Sequence, residues 1–352
     1  MGRNSSFTFK GKSVEVRDVG RQLGGLYVLE GSVRKSGGRV RITAQLIDAT
    51  TGGHLWAKRF DRDLVDIFAV QDDVTEKIVD ALSVNLTRTD RRRMSAEQTA
   101  NMEAFECFLR GRELWWRHEK DSNAQARELL QRAAALDPEF APAPAWLAAA
   151  HVNDYISQWT EAPQRSLDLA YEAATRSAAL DPQLAVAQWA LIFVNLWMRR
   201  YEDAIRAGET AIANNTNDTE AYNGLGVVLH YVGRSEEALG MFARAMALNP
   251  LCPGMWLLFQ GQALFQHGRY EEAVAVLRRR IFRTPEADAS RVLLAACYGE
   301  MGRLEEARAK SREALRVNPA YSLEHRRKVL PYKNPDDFEH LLLGLRKPGV
   351  VA

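Results

Sequence analysis

The chain has 352 residues, enough for two or three ordinary domains or for one domain and a repeat array. It is 46% hydrophobic and 26% charged, as soluble globular proteins are. With 47 basic and 45 acidic residues the net charge is +2, which gives no reason to expect nucleic acid or a membrane as partner.

Residues 1–25 contain no apolar run of signal-peptide length, and no stretch of about 18 apolar residues occurs anywhere. "SVEVRDVGRQLG" predicts a short helix with Ser13 as N-cap, ending at Gly24. "YVLEGSVRK" (27–35) and "RVRITAQLIDA" (39–49) then alternate apolar and polar residues. In the second, Val40, Ile42, Ala44 and Leu46 face one way and Arg39, Arg41, Thr43 and Gln45 the other, the pattern of a half-buried strand. "SGG" (36–38) joins them as a hairpin, and "TTGG" (50–53) turns into a third strand at 54–60. Ile67, Val70, Val74, Ile78, Leu82 and Leu86 then mark the buried stripe of a helix over 66–87, and "RTDRRRM" (88–94) is a charged connector.

From there a period near 34 residues takes over. "GRSEEA" (233–238), "GRYEEA" (268–273) and "GRLEEA" (302–307) recur at steps of 35 and 34, with a weaker "RRYEDA" at 199–204. In 219–250, Tyr222, Leu225, Gly226 and Leu229 share one helical face, and Ala238, Leu239, Phe242, Ala245 and Met246 another. Gly233 falls between them as the stop of the first helix. Glu236 and Glu237 suit the positive first turn of the second. Pro250 ends it, because the residue before proline disfavours helical geometry. Each hexapeptide is therefore the elbow of one helix hairpin. Six hairpins are expected, at 104–138, 141–182, 185–216, 219–250, 254–285 and 288–319, the second lengthened at its turn (153–166). Residues 320–347 predict a capping helix, a Pro-broken linker and a short amphipathic helix, since the last repeat of a solenoid has an unburied face.

The large-Leu-Gly-large first helix, the Ala-Phe-Ala second helix and the closing proline resemble the tetratricopeptide repeat. Residues 27–82, extended upstream over 3–24, resemble the amino-terminal TolB-like domain of bacterial proteins, which repeats of this kind typically follow. That resemblance implies a class III adenylate/guanylate cyclase domain or a winged-helix domain ahead of it, and a chain that begins inside the TolB-like domain. The expected organisation is a truncated α+β domain (1–90), a linker (91–103), a mainly α tetratricopeptide solenoid (104–319) and a capping helix with tail (320–352).

Little in the chain points to chemistry. The aspartate pair of a cyclase has no domain to carry it, and no P-loop or GxGxxG occurs. Asp61, Asp63, Asp66, Asp72 and Asp73 read as a polar loop and the negative first turns of a helix. The seven histidines show no metal spacing, and Cys107, Cys252 and Cys297 read as reduced core residues of a cytoplasmic protein. The basic runs at 91–93, 278–280 and 325–328 read as solvated faces. The expectation is a non-enzymatic interaction module without cofactor or metal, binding a protein or peptide in the concave groove of its first helices. It binds neither nucleic acid nor membrane, and its oligomeric state is left open. The register places Trp189, Phe193 and Trp197 in the groove from the third repeat, Asn223, Val227, His230 and Tyr231 from the fourth, and Gln262, Phe265 and Gln266 from the fifth. For Trp189, Phe193 and Trp197 the alternative is packing between neighbouring repeats. Cyclase and winged-helix parentage both remain open.

Overall fold

A computed structural model describes residue 9 and residues 14–37, 39–63, 73–79, 99–347 and 349. The chain divides into two compact units, one dominated by residues up to Ala100 and the other by helices from Asn101 onward.

The amino-terminal unit opens with α1 (Val16–Leu23), whose N-cap is Glu15; the expected cap Ser13 lies outside the described residues. Gly24 ends α1 in the left-handed region at φ 65°. Strands β1 (Tyr27–Ser36), β2 (Arg39–Asp48) and β3 (His54–Asp63) form an antiparallel sheet in that order. Leu29 pairs with Leu46 and Val33 with Ile42, while Trp56 and Phe60 oppose Leu46 and Ile42 from the other side. One sheet face is thus apolar. Val40, Ala44, Leu46 and Phe60 are buried on it, but Leu29 and Val33 on the edge strand stay 51% and 68% exposed. Asp61 and Asp63 belong to β3 instead of a loop, because β3 runs on to meet the arginines of β2: Arg41 Nε reaches Asp61 Oδ1 at 2.7 Å. The helix expected over 66–87 is described at 73–79, and its remainder, like most of the linker 91–103, lies outside the described residues.

The second unit is a stack of helix hairpins: α2 (Met102–Trp115) with α3 (Lys120–Leu136), α4 (Pro142–Ser157) with α5 (Pro163–Leu180), and α6 (Ala185–Trp197) with α7 (Tyr201–Asn214). Then follow α8 (Thr219–Tyr231) with α9 (Ser235–Leu248), α10 (Gly254–Gln266) with α11 (Tyr270–Arg283), and α12 (Asp288–Glu300) with α13 (Leu304–Val317). Small residues set the crossings. A Cβ on Gly226 would lie 2.8 Å from the Phe242 ring, and one on Gly261 2.8 Å from Leu277. The first helices α4, α6, α8, α10 and α12 touch one another in turn and form one continuous inner layer.

The elbows share one construction. The chain closes each with a bond from the residue after the turn, as in Arg234 N–H to Leu229 O at 2.8 Å and Arg303 N–H to Tyr298 O at 2.8 Å. Gly233, Gly268 and Gly302 take the required positive φ, at 85°, 76° and 72°. The following Arg pairs with the second Glu of each motif, Arg234 Nη2 with Glu237 at 2.6 Å and Arg269 Nη2 with Glu272 at 2.6 Å. At the "RRYEDA" elbow the left-handed position is held by Arg199, φ 59°. The second hairpin differs from expectation. Its extra residues lengthen the helices to 16 and 18 residues as well as the turn, which runs over 158–162 with Gln158 at φ 52° as the stop. Alanine-rich sequence favours such extension.

The C-terminal segment consists of α14 (Leu323–Val329), an extended stretch at 330–334 and α15 (Pro335–Arg346). It does not cap the stack as the sequence suggests. Its apolar residues Phe338, Leu342 and Leu345 find a larger apolar surface on the inner layer, and α15 packs along α12.

Candidate functional site

The inner layer of first helices is the candidate site, and the chain's own C-terminal segment fills much of it. Tyr332 sits beneath the surface, 7% exposed, with its ring 4.9 Å from Tyr231 and 5.7 Å from His230. Val329 joins the cluster around Trp197 and Ala190, and Phe338 and Leu342 join that of Val227, Val228 and Phe242. Further along, His340 stacks on Phe265 with centroids 4.6 Å apart. Its Nδ1 lies 3.0 Å from Gln266 Oε1, and its Nε2 lies 3.2 Å from the Tyr270 hydroxyl.

Main-chain groups of the segment share the polar contact with the side chains of Lys333, His340 and Lys347, which meet Glu202, Gln266, Tyr270 and Glu300. Lys333 N–H donates to Tyr231 O at 2.8 Å. The Arg199 guanidinium donates to Tyr332 O at 3.0 Å and to Leu330 O at 3.2 Å, and Gln266 Nε2 donates to Asp337 O. Arg199 thus combines a left-handed backbone, which costs a non-glycine residue about 1–2 kcal/mol, with a clamp on two carbonyls 131 and 133 residues away. The sequence signal was present: of the four "xRxExA" elbows, this is the one without glycine.

The expected groove residues fall into two groups. Asn223, Val227, His230, Tyr231 and Phe265 are each no more than 2% exposed, and Gln262 and Gln266 are half-buried. Trp197 is buried between Tyr155 and Tyr231, at 6.4 and 6.2 Å. Trp189 and Phe193 remain half-buried in an aromatic cluster with Trp115, Trp116 and Trp146. The sequence reading missed Arg199, Tyr332, Phe338 and His340.

Burial governs the ionisation of the site. His230 is fully buried, which pushes its pKa down to about 3, and neither ring nitrogen has a hydrogen-bond partner among the described residues. Asn223 Oδ1 is likewise without one. Burial raises the carboxyl pKa of Asp337. Outside the groove, Arg280 does not stay on a solvated face: it is 7% exposed and donates to Ser290 Oγ, because α12 closes over it. Cys107, Cys252 and Cys297 are free and buried. Among the described residues no group of His, Cys, Asp and Glu is placed to hold a metal ion, and no helix is long and apolar enough to cross a membrane.

Comparison with known proteins agrees on the repeats. The tetratricopeptide repeat model matches residues 198–250, and that of anaphase-promoting complex, cyclosome, subunit 3 matches 236–314. A putative adenylate cyclase 3 of Rhizobium meliloti is 43% identical over 207 residues, which cover 59% of this chain and 35% of that protein. TPR repeat-containing thioredoxin TTL4 of Arabidopsis thaliana is 40% identical over 67 residues, 19% of this chain and 10% of that protein. The chain therefore spans about a third of the first relative and a tenth of the second. Among solved structures, the APC/C hetero-tetramer Cut9-Hcn1 shares the fold, with a TM-score of 0.52 at 17% identity over 78% of this chain and 52% of that one.

Proposed function

We propose that this tetratricopeptide repeat protein is a non-catalytic interaction scaffold of bacterial signalling, whose inner groove receives a polypeptide segment of another protein. One observation carries the reading: the groove already holds a stretch of polypeptide, gripped through its main chain by Arg199, Tyr231 and Gln266. A surface that binds backbone groups and adds pockets for a few apolar side chains is the chemistry of peptide recognition. A photo-crosslinker at Phe193, half-buried on the inner layer, should capture a protein partner from the native cytoplasm, and one at Arg244 on the outer face should not. Capture at Arg244 alone would overturn the reading.

The similarity to a putative cyclase favours one parentage. In that reading the chain corresponds to the regulatory, repeat-bearing part of a cytoplasmic nucleotide cyclase, with the sheet unit as its TolB-like neighbour. The purified chain should form no cyclic nucleotide from ATP or GTP with Mg²⁺ or Mn²⁺. Product above a heat-killed control would end the non-catalytic reading. A cyclase-like reading frame in the DNA upstream of Met1 would support the parentage, and a winged-helix one would replace it.

A further inference from the structure

The kind of segment that the groove accepts is visible in the one it holds. Residues 329–346 bring the end of α14 and an extended stretch, "VLPYKN", and a helix, "PDDFEHLLLGLR". Val329, Tyr332, Phe338, Leu342 and Leu345 are its buried anchors, each at most 7% exposed. Lys333, Asn334, Pro335 and Asp336 between them are exposed, so the extended stretch and the helix dock as two separate grips joined by a solvated turn. Asn334 caps the helix by accepting from Asp336 N–H at 3.2 Å, and Asp336 and Asp337 occupy its first turn, where the helix dipole favours acids.

Two features mark this docking as replaceable. The fit is incomplete, since His230 lies buried against the Tyr332 ring with neither imidazole nitrogen hydrogen-bonded among the described residues. The groove also continues past the segment's end. Trp197 adjoins Tyr231 at 6.2 Å, and Trp189 and Phe193 lead on to Trp146 and Trp116, the last 42% exposed. An incoming chain has an open aromatic surface to land on beside the occupied one.

We propose that the groove recognises in a partner protein a segment of this same kind, an extended apolar–Pro–aromatic stretch running into an acid-headed amphipathic helix. Residues 329–346 are its resident stand-in, held by Arg199 and released to admit the partner. This rests on the reading that the groove binds polypeptide. Arg199→Gly restores the residue of the other three elbows, so it removes the clamp while relaxing the backbone. Tyr332→Ala removes the central anchor.

The test titrates a fluorescein-labelled peptide of residues 326–347 into the full-length chain. It should bind Tyr332→Ala at least tenfold more tightly than wild type, because only the resident tail loses its anchor while Arg199 still holds the peptide, and a scrambled peptide should bind neither chain. Hydrogen exchange at 329–346 should quicken at least tenfold in Arg199→Gly, with α2–α5 unchanged. Equal peptide binding by wild type and Tyr332→Ala, or tail exchange unchanged in Arg199→Gly, overturns the proposal. So does equal binding of the scrambled peptide. A wild-type dimer that exchanges its tails would make a second copy the occupant instead, which also overturns it. Should Tyr332→Ala fail to fold, Phe338→Ala, which also weakens only the resident tail, takes its place. Capture of a foreign protein at Phe193 without peptide binding leaves the scaffold reading standing and removes this one. Peptide binding to the opened variants with no foreign protein at Phe193 does the reverse.

Discussion

The two halves of the inner layer are similar in composition and opposite in state. In the half formed by α8 and α10, Asn223, Val227, His230, Tyr231 and Phe265 are almost wholly buried. In the half formed by α2, α4 and the start of α6, Trp116 is 42% exposed, and Trp146, Trp189 and Phe193 are half-buried against one another. The difference comes from the C-terminal segment, which covers one half and leaves the other to self-stacked indoles. Position on the inner face therefore assigns a residue to the groove without saying whether it is free. Burial in the covered half is conditional on a tethered extended stretch and helix.

The largest effect expected from that contrast is on stability. Phe265→Ala removes a ring that is 1% exposed and stacked on His340, and should cost about 3–5 kcal/mol. Trp116→Ala removes a ring that is partly in water, and should cost about 1 kcal/mol or less. Denaturant unfolding measures both. Similar losses would mean that the two halves are not in different states.

Acid sharpens the same comparison. His230 has a folded pKa of about 3 against about 6.5 for a solvated imidazole, so the buried state excludes a proton that an exposed ring takes up. Docking is complete above about 6.5 and should weaken as pH falls below it, by about 1.4 kcal/mol per unit while His230 dominates. The groups facing it are the Tyr231 and Tyr332 rings; the tail's other titratable groups, Asp337 and His340, lie by Gln266. Asp337 works the other way. Its raised pKa makes the docked form take up a proton first, so its effect opposes further release in the carboxylate range. In the open half, His151 is pushed to about 4 by burial, with Arg127 and Arg165 adding to it. It destabilises α4 in acid without touching the tail. Tail hydrogen exchange, corrected for intrinsic rate, should rise between pH 6.5 and 5 in wild type and His151→Gln. It should stay flat in His230→Gln. A slope that survives His230→Gln would place the acid response elsewhere.

Much of the solenoid is legible in sequence because it is local. The period, the elbow glycines, the acids after them and the prolines all act within a few residues, and Gly226 and Gly261 announce their crossings. The return of the tail is not local. It depends on Arg199 meeting carbonyls more than 130 residues away, and no period reports that. The amphipathic face of 335–346 showed that the helix would bury something, but a cap and a groove ligand need the same face. The sheet was legible in β2, whose alternation follows its burial. It was less so in β1, where the apolar residues Leu29 and Val33 are exposed on an edge.

The smallest effect tests the register on which both halves rest. Ala238 is fully buried where α9 meets the inner layer, and α8 offers no spare volume, since Phe242 already lies against Gly226. Ala238→Leu adds three carbons there and should cost about 1–3 kcal/mol through overpacking. Arg244 lies on the same helix but is exposed, its guanidinium 5.9 Å from the Tyr222 ring. Arg244→Leu gives up that weak contact and little else, so it should cost about 0.5 kcal/mol or less. The two positions are six residues apart on α9, so a register error would move their effects toward each other. Thermal and denaturant melts of the two variants measure the gap. If Arg244→Leu were as costly as Ala238→Leu, the helix would be turned from the face assigned to it, and the inner layer would lose the side chains that make it a groove.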